Sequence, residues 1–232
     1  MASEPISSKH IQLQATDSHT FGAYVARTEK IPEAAVVIVQ EIFGVNAHIR
    51  SVVDEYASEG FLAIAPALFD RVEPKIELAY DAEGQQRGVQ LRQQIGIDKP
   101  LLDIDAAIEY CAREVAPTAV GVVGYCWGGT LAWLSATRLK ANAAVGYYAG
   151  RIGDYAKEIP HAPVMFHFGQ RDKHIGPDQI EAVRSGHPEV AIYMYDADHG
   201  FNRDVGASYN PDAASLARAR TIDFLKSKLL TH

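Results

Sequence analysis

The stretch "GYCWG" at positions 124–128 places a cysteine between two glycines, after an apolar segment and before a helical pattern. This arrangement is typical of a nucleophile elbow, a tight turn in which flanking glycines leave room for the neighbouring strand and helix. The N-terminus of the following helix would favour a thiolate at Cys126. Alternatively, Cys126 is a small buried hydrophobic residue beside two strand-end glycines.

A nucleophile of this kind needs a base and an acid that orients the base. Asp172 follows the apolar run "APVMFHFG" and His199 follows "VAIYMYD", so both lie in loops after predicted strands. Nucleophile, acid and histidine occur in this order in α/β-hydrolases. Asp196 and Asp198 compete for the acid role, but their closeness to His199 makes reaching its Nδ1 awkward. Any of these aspartates could instead be an ordinary turn residue.

The other cysteine and several histidines favour structural roles. Cys111 shares a helical apolar stripe with Ile104 and Ile108, which predicts core packing. His48 and His174 could be ordinary surface histidines. Three more lack the paired spacing of zinc ligands: His161, His167 and His187. We therefore assign no metal and expect no cofactor.

Six short apolar runs without polar alternation predict strands covered on both faces, as in a parallel sheet. They are "AAVVIVQ", "FLAIAPALF", "AVGVVGY", "AAVGYY", "APVMFHF" and "VAIYMYD". Helical patterns lie between them, one ending at Gly60 and another near Pro117, and "ASLARARTIDFLKSKLL" predicts a C-terminal helix. The polar, glutamine-rich segment 71–99 is interpreted as loop plus helix.

Near the start, "IQLQA" and "FGAYVAR" alternate in polarity on either side of "TDSHT", which predicts an antiparallel hairpin. The expected fold class is therefore α/β: a mostly parallel, doubly wound sheet with helices on both faces and an N-terminal antiparallel hairpin. We expect residues 1–232 to form a single domain, since 232 residues with 47% hydrophobic composition can bury one sizeable core.

Charge and hydropathy exclude several functional classes. The net charge of −7 and the absence of a basic cluster argue against nucleic acid or a membrane as partner. No apolar run is long enough to span a bilayer, and "MASEPISSKH" lacks the features of a signal peptide, so we expect a cytoplasmic protein. Two cysteines make no disulfide framework.

Taken together, these motifs resemble those of the dienelactone hydrolases (carboxymethylenebutenolidases), which have the α/β-hydrolase fold. The resemblance covers most of the chain and rests on "GYCWGG", "GQRD", "DADHGF" and "QEIFG", the last at positions 40–44. It implies that Cys126, Asp172 and His199 form a catalytic triad. It also implies that Glu41 contacts the thiol before substrate arrives, although Glu41 could be an ordinary loop carboxylate.

The resemblance further implies the groups that bind substrate. The oxyanion hole would consist of the backbone N–H groups of Ile42 and Trp127. Arg203 matches an arginine that binds the substrate carboxylate, although it could be a solvated loop arginine. A second arginine comes from the middle of the chain in this family, and here the sequence departs. It offers Arg87, displaced from the family position, and Arg92.

The activity implied is hydrolysis of a small, carboxylate-bearing enol lactone or ester through a Cys-His-Asp triad and an acyl-enzyme. One alternative is a general thioesterase or carboxylesterase with the same triad. Another is a non-catalytic binding module in which Cys126 senses oxidation. The expected partner is a small-molecule substrate, and the expected assembly is a monomer or small homo-oligomer.

Overall fold

The computed structural model describes residues 4–115 and 119–230. Their strands form one sheet in the order β1-β2-β4-β3-β5-β6-β7-β8. The strands are β1 Ile6–Gln14, β2 Thr20–Thr28, β3 Ala35–Val39, β4 Leu62–Pro66, β5 Val120–Tyr125, β6 Ala143–Tyr147, β7 Val164–Gly169 and β8 Ala191–Tyr195. The ladder from β4 through β3 to β8 is parallel, whereas β1 pairs antiparallel with β2 and β2 with β4. The predicted α/β class and N-terminal hairpin are confirmed.

Helices cover both faces of the sheet. They are α1 Ala47–Ser58, α2 Ala82–Ile95, α3 Asp98–Glu114, α4 Trp127–Arg138, α5 Pro177–Gly186 and α6 Pro211–Leu229, with short 3₁₀ turns at Leu68–Arg71 and Ile152–Tyr155. The connection from β3 to β4 through α1 runs in one direction along the sheet, and the connection from β5 to β6 through α4 runs in the other. Because both crossovers are right-handed, α1 and α4 lie on opposite faces of the sheet. No helix of the described residues is long and apolar enough to cross a membrane.

The central parallel strands are buried along their whole length, as their continuous apolar runs predict. Cys111 is fully buried on α3, which confirms its predicted core position. The expected end of that helix near Pro117 lies outside the described residues, and α3 itself ends at Glu114. β8 differs from the expectation of a strand covered on both faces, because it is the edge of the sheet and only Tyr195 among its residues is buried.

The order of the strands also determines where a crevice forms. β3 has β4 on one side and β5 on the other, and the chain leaves β3 and β5 toward opposite faces of the sheet. The loops after these two strands therefore diverge, which in open α/β sheets leaves a binding crevice at the carboxyl ends of the strands. Glu41 and Cys126 both lie at this point.

Candidate active site

Cys126 occupies a strained turn between β5 and α4, with φ of 56° and ψ of −117°. Such a conformation persists in a non-glycine residue only where its surroundings hold it. The Cys126 N–H donates to the carbonyl of Tyr147 at 2.9 Å. A Cβ at Gly124 would overlap the carbonyl of Gly128, and a Cβ at Gly128 would overlap the carbonyl of Val39. Both flanking glycines are thus required by close backbone approach, as in a nucleophile elbow.

His199 and Asp172 come together from the loops after β8 and β7. The Nδ1 atom of His199 lies 2.7 Å from Oδ2 of Asp172, and the other carboxylate oxygen accepts a hydrogen bond from the His174 N–H at 2.8 Å. The Asp172 side chain is 1% exposed. Because an ionised carboxylate can only accept, Nδ1 of His199 carries a proton and Nε2 is the ring nitrogen left to face a reacting group.

The two competing aspartates point elsewhere. Asp196 pairs with Nη1 of Arg171, and a carboxylate oxygen of Asp198 lies 3.6 Å from Nε of the same arginine. Both carboxylates are largely exposed. Asp172 is therefore the aspartate that orients His199 in this structure.

The surroundings of His199 strongly favour its protonated form when Cys126 is ionised. Burial lowers the pKa of His199, but the charge of Cys126 and the hydrogen bonds with Asp172 and Cys126 raise it more, to about 10. An imidazolium at His199 is thus stabilised beside an ionised Cys126. The ring of Tyr148 lies 5.0 Å from the His199 ring and supports it from the core.

Cys126 and His199 open into a cavity of about 740 Å³. Glu41 and Ile42 line the cavity from the loop after β3, and Arg203 lines it from the β8–α6 loop. From the middle of the chain, Arg92 of α2 also lines the cavity. The structure thus gathers at one cavity residues that are up to 167 positions apart, from Glu41 to Ser208.

The structure does not bring Arg87 to this cavity. Its Nη2 atom lies 2.6 Å from a carboxylate oxygen of Glu73, away from the cavity lining. Gln85, Val89 and Arg92 face the cavity instead, and their i, i+4, i+7 spacing is that of one helix face. This helix face includes Arg92 and excludes Arg87.

Glu41 is buried, and its carboxylate is poorly satisfied. The side chain is 2% exposed, and Oε1 lies 3.9 Å from Nε of Arg203. Oε2 has no hydrogen-bond partner among the described residues, and the same holds for the buried hydroxyl of Tyr148. The Oε2 atom thus makes no hydrogen bond to the Cys126 thiol within those residues. An unpaired buried carboxylate oxygen is costly, which points to a functional reason for keeping it.

Arg203 rests on an aromatic surface that sequence reasoning missed. Its guanidinium lies 5.0 Å from the centre of the Tyr80 ring and 5.8 Å from that of Phe43. Nη2 donates to the Ser208 hydroxyl at 3.0 Å. Phe43 stands in the "QEIFG" motif, but nothing in the glutamine-rich segment indicated Tyr80. The arginine is thus held at the cavity, with the buried Glu41 carboxylate 3.9 Å away as its ion-pair partner.

Cations outnumber anions around the cavity, although the whole chain has a net charge of −7. The positively charged lining residues are Arg92, Arg151, Arg171, Lys173 and Arg203, and the negatively charged ones are Glu41, Asp81 and Asp198. A locally positive cavity in an acidic protein attracts anionic ligands.

Two backbone donors also remain available near the thiol. Neither the N–H of Ile42 nor that of Trp127 donates to another described residue, and Trp127 begins α4, where N–H groups lack helical acceptors. The indole of Trp127 is buried against Phe69, with ring centres 5.7 Å apart. The indole of Trp127 therefore packs in the core and does not line the cavity.

The remaining histidines differ in burial. His174 is exposed and lies at the cavity, whereas His48 is 7% exposed, so the surface position considered for His48 is wrong. Its Nδ1 atom lies 2.8 Å from Oδ1 of Asp204. In the part of the chain that the structure describes, no three His, Cys, Asp or Glu side chains are grouped as metal ligands.

Comparison with known proteins agrees with this geometry. The profile of the dienelactone hydrolase family matches residues 21–229. The chain belongs to this family. It is 35% identical over 223 residues to a carboxymethylenebutenolidase of Pseudomonas putida, covering 93% of this chain and 94% of the relative. A carboxymethylenebutenolidase of Pseudomonas sp. strain P51 is 31% identical, with coverages of 93% and 94%.

Solved structures extend the comparison. A crystal structure of a "Putative Dienelactone Hydrolase" from Klebsiella pneumoniae superposes with a TM-score of 0.85 at 28% identity, over 99% of this chain and all of the other. A dienelactone hydrolase-like phosphotriesterase from metagenomic libraries shares the fold, with a TM-score of 0.74 at 20% identity. The predicted α/β-hydrolase fold is confirmed, and as a member of the dienelactone hydrolase family the protein is a hydrolase of ester or lactone bonds.

Proposed function

We propose that this dienelactone hydrolase family member opens a small enol lactone or ester that bears a carboxylate, using Cys126 as nucleophile. The observation that carries the proposal is the convergence of the Cys126 elbow and the 2.7 Å His199–Asp172 pair at one cavity. The carboxymethylenebutenolidases that resemble this chain support the substrate class. A thiolate is a good nucleophile, and an enol-lactone ring opens with a stabilised leaving group.

In the acylation step, Sγ of Cys126 attacks the carbonyl carbon and the carbonyl oxygen becomes an oxyanion. The N–H groups of Ile42 and Trp127 would donate to that oxygen. Collapse of the tetrahedral intermediate breaks the ring C–O bond, leaving a thioester on Cys126 and an enolate, which takes up the proton that Glu41 received from the thiol. The ring oxygen is thus the leaving group, and the substrate remains one molecule on the enzyme.

Deacylation requires a base, and His199 is oriented for it by Asp172. Nε2 removes a proton from water as the water oxygen attacks the thioester carbonyl. The C–S bond then breaks, the acid product leaves, and the proton returns to Sγ. The elevated pKa of His199 beside an ionised Cys126 favours an imidazolium in each step that has a thiolate.

Glu41 would take the thiol proton at the start of the cycle. Its buried negative charge disfavours a neighbouring thiolate before substrate binds. A substrate carboxylate would compete with Glu41 for Arg203, which is 3.9 Å away, and so release the Glu41 carboxylate toward Cys126. In this proposal the thiolate forms only when there is a carbonyl to attack.

Arg203 would bind the substrate carboxylate through its planar fork of donors. We assign the second cation to Arg92, which lines the cavity, instead of Arg87, which is paired with Glu73. Within the described residues Arg92 has no carboxylate at ion-pair distance, so its charge is available to a ligand.

Mass spectrometry of the intact protein tests the proposal. The protein is mixed rapidly with carboxymethylenebutenolide and quenched in acid, and an adduct of one substrate mass should map to Cys126. A redox-sensing module would show no adduct, only oxidised Cys126 after peroxide treatment. Equal kcat/KM on simple thioesters and on the lactone would instead favour the general thioesterase. Failure to find the adduct under single-turnover conditions, with hydrolysis continuing, would contradict a covalent route.

A further inference from the structure

We propose that His48 is a positioning residue for substrate binding, acting through Asp204. The pair holds the irregular segment 200–210 so that Arg203 faces the cavity. This inference rests on the proposed role of Arg203 in binding the substrate carboxylate.

The segment 200–210, here called the arginine loop, has little structure of its own. It contains no helix or strand, and Gly200 and Gly206 have φ of +78° and +101°. Its outer residues are exposed, including Val205 at 45%. The start of the loop is held in the core by the fully buried Phe201, whereas the outer residues depend on their few contacts.

The hydrogen bonds of the arginine loop are almost all internal. Arg203 N–H donates to the carbonyl of Gly200 at 3.0 Å, and Asn210 N–H donates to the carbonyl of Phe201 at 3.0 Å. Within the described parts of the chain, residues 200–209 make one hydrogen bond to a residue outside 196–214, the 2.8 Å contact between Asp204 and His48. This hydrogen bond therefore anchors the loop to the rest of the protein, together with the 3.9 Å ion pair between Arg203 and Glu41.

The two partners are unequal in burial. The His48 side chain is 4% exposed in the first turn of α1, whereas that of Asp204 is 56% exposed. Nε2 of His48 is buried without a hydrogen-bond partner among the described residues, so the ring makes its single hydrogen bond through Nδ1. Glu55 and Arg218, 3.1 Å apart, are the other charged groups beside the pair. A buried donor thus holds an exposed acceptor.

His48 also supports the surface on which Arg203 rests. The edge of its ring contacts Tyr80, with centroids 6.2 Å apart, and Tyr80 in turn lies under the Arg203 guanidinium at 5.0 Å. Two consecutive residues of the loop are therefore held by neighbouring groups: Arg203 contacts the aromatic rings, and Asp204 is hydrogen-bonded to His48. Without the hydrogen bond between His48 and Asp204, the loop can move away from the cavity. Substrate binding must then order Arg203 again, and the free energy that this costs weakens binding.

The test uses His48→Phe, which keeps a ring of similar size without the donor, and Asp204→Ala. Each should raise KM for carboxymethylenebutenolide about five-fold, the equivalent of one net hydrogen bond, while kcat and hydrolysis of p-nitrophenyl acetate change little. The double variant should be no worse than either single variant, because both remove the same contact. His48→Asn, whose amide can place an N–H near the Nδ1 position, should restore part of the affinity.

Hydrogen exchange provides a readout that does not depend on the substrate. Amides of 200–210 should exchange faster in His48→Phe than in wild type, and a buried histidine far from the cavity, His187→Gln, provides the matched control. Unchanged exchange in the arginine loop, or equal KM increases on the lactone and the neutral ester, would overturn the inference. Arg203→Ala separates the two proposals: if it causes no lactone-specific loss, the carboxylate role fails, while the exchange result still decides whether His48 holds the loop.

Discussion

The two sides of the cavity are held in different ways. On the cysteine side, defined by Cys126, Asp172 and His199, each residue directly follows or closely follows a strand of one sheet, and backbone contacts hold the turn. On the arginine side, defined by Arg92 and Arg203, the side chains come from a polar helix and an irregular loop.

The groups proposed to react and the groups proposed to bind substrate are therefore held by different kinds of structure. Sheet ends hold reacting groups within the narrow limits that bond making requires, whereas ligand-binding groups tolerate loops and can vary without loss of the fold. We therefore expect substitutions on the cysteine side to remove turnover of all substrates. On the arginine side they should alter which substrate is preferred.

The largest effect is expected at Cys126. Cys126→Ala should lower kcat by about 10⁴-fold or more on both lactone and neutral ester, because the nucleophile is lost. Cys111→Ala is the matched control, since its thiol is fully buried on α3, and activity should stay close to wild type. Steady-state kinetics on both substrates measure this contrast. Turnover near wild type in Cys126→Ala would remove the basis for treating this side as catalytic.

Glu41→Gln should produce the next largest effect, because Glu41 lies between the two sides. Loss of the proton acceptor should slow acyl-enzyme formation by about 10²-fold in stopped-flow measurements, while the fold is retained. The free wild-type thiol should also react slowly with iodoacetamide, and faster with a substrate analogue bound that leaves Sγ accessible. Rapid alkylation of the free enzyme with unaltered acylation in the variant would show a preformed thiolate and no gating by Glu41.

The support of the cysteine side should be sensitive to acid. His167 is fully buried on β7 between Tyr195 and Thr221, and burial, together with Arg220, lowers its pKa to about 3. Below pH 6.5 the unfolded chain binds a proton at this ring and the folded protein does not until about pH 3. The free energy of unfolding should therefore be unaffected by His167 above pH 6.5 and fall by up to about 1.4 kcal/mol per pH unit below it.

Urea unfolding of wild type and His167→Gln from pH 8 to pH 4 isolates this contribution. The variant cannot titrate at this position, so the stability advantage of wild type should shrink as the pH falls. An advantage that stays constant over the whole range would show that His167 does not enter the acid sensitivity.

The smallest effect is expected on the arginine side, at α2. Arg92→Gln should lower kcat/KM for carboxymethylenebutenolide a few-fold, about 1 kcal/mol or less for a partly exposed charge, with no change on p-nitrophenyl acetate. Arg87→Gln provides the control from the same helix, since its guanidinium pairs with Glu73. A lactone-specific loss in Arg87→Gln with none in Arg92→Gln would reverse the assignment.

The sequence alone allowed the parallel strands of the sheet and the turn at Cys126 to be predicted. Continuous apolar runs identified the buried parallel strands, because a strand covered by helices on both faces has no solvent side to make polar. The turn at Cys126 was equally readable, since Gly124 and Gly128 lie where close backbone approach excludes a Cβ. The order of Cys126, Asp172 and His199 followed from strand-end loops that meet at one edge of the sheet.

Only the tertiary structure decided which arginine of α2 reaches the cavity. Gly88 packs against the carbonyl of Ile42, and this contact sets the rotation of a helix whose own sequence is too polar to indicate its buried face. Arg92 is turned inward as a result, and Arg87 is not. Local patterns specify the residues that the backbone itself requires, whereas the direction of a polar side chain depends on contacts between distant segments, which no local pattern records.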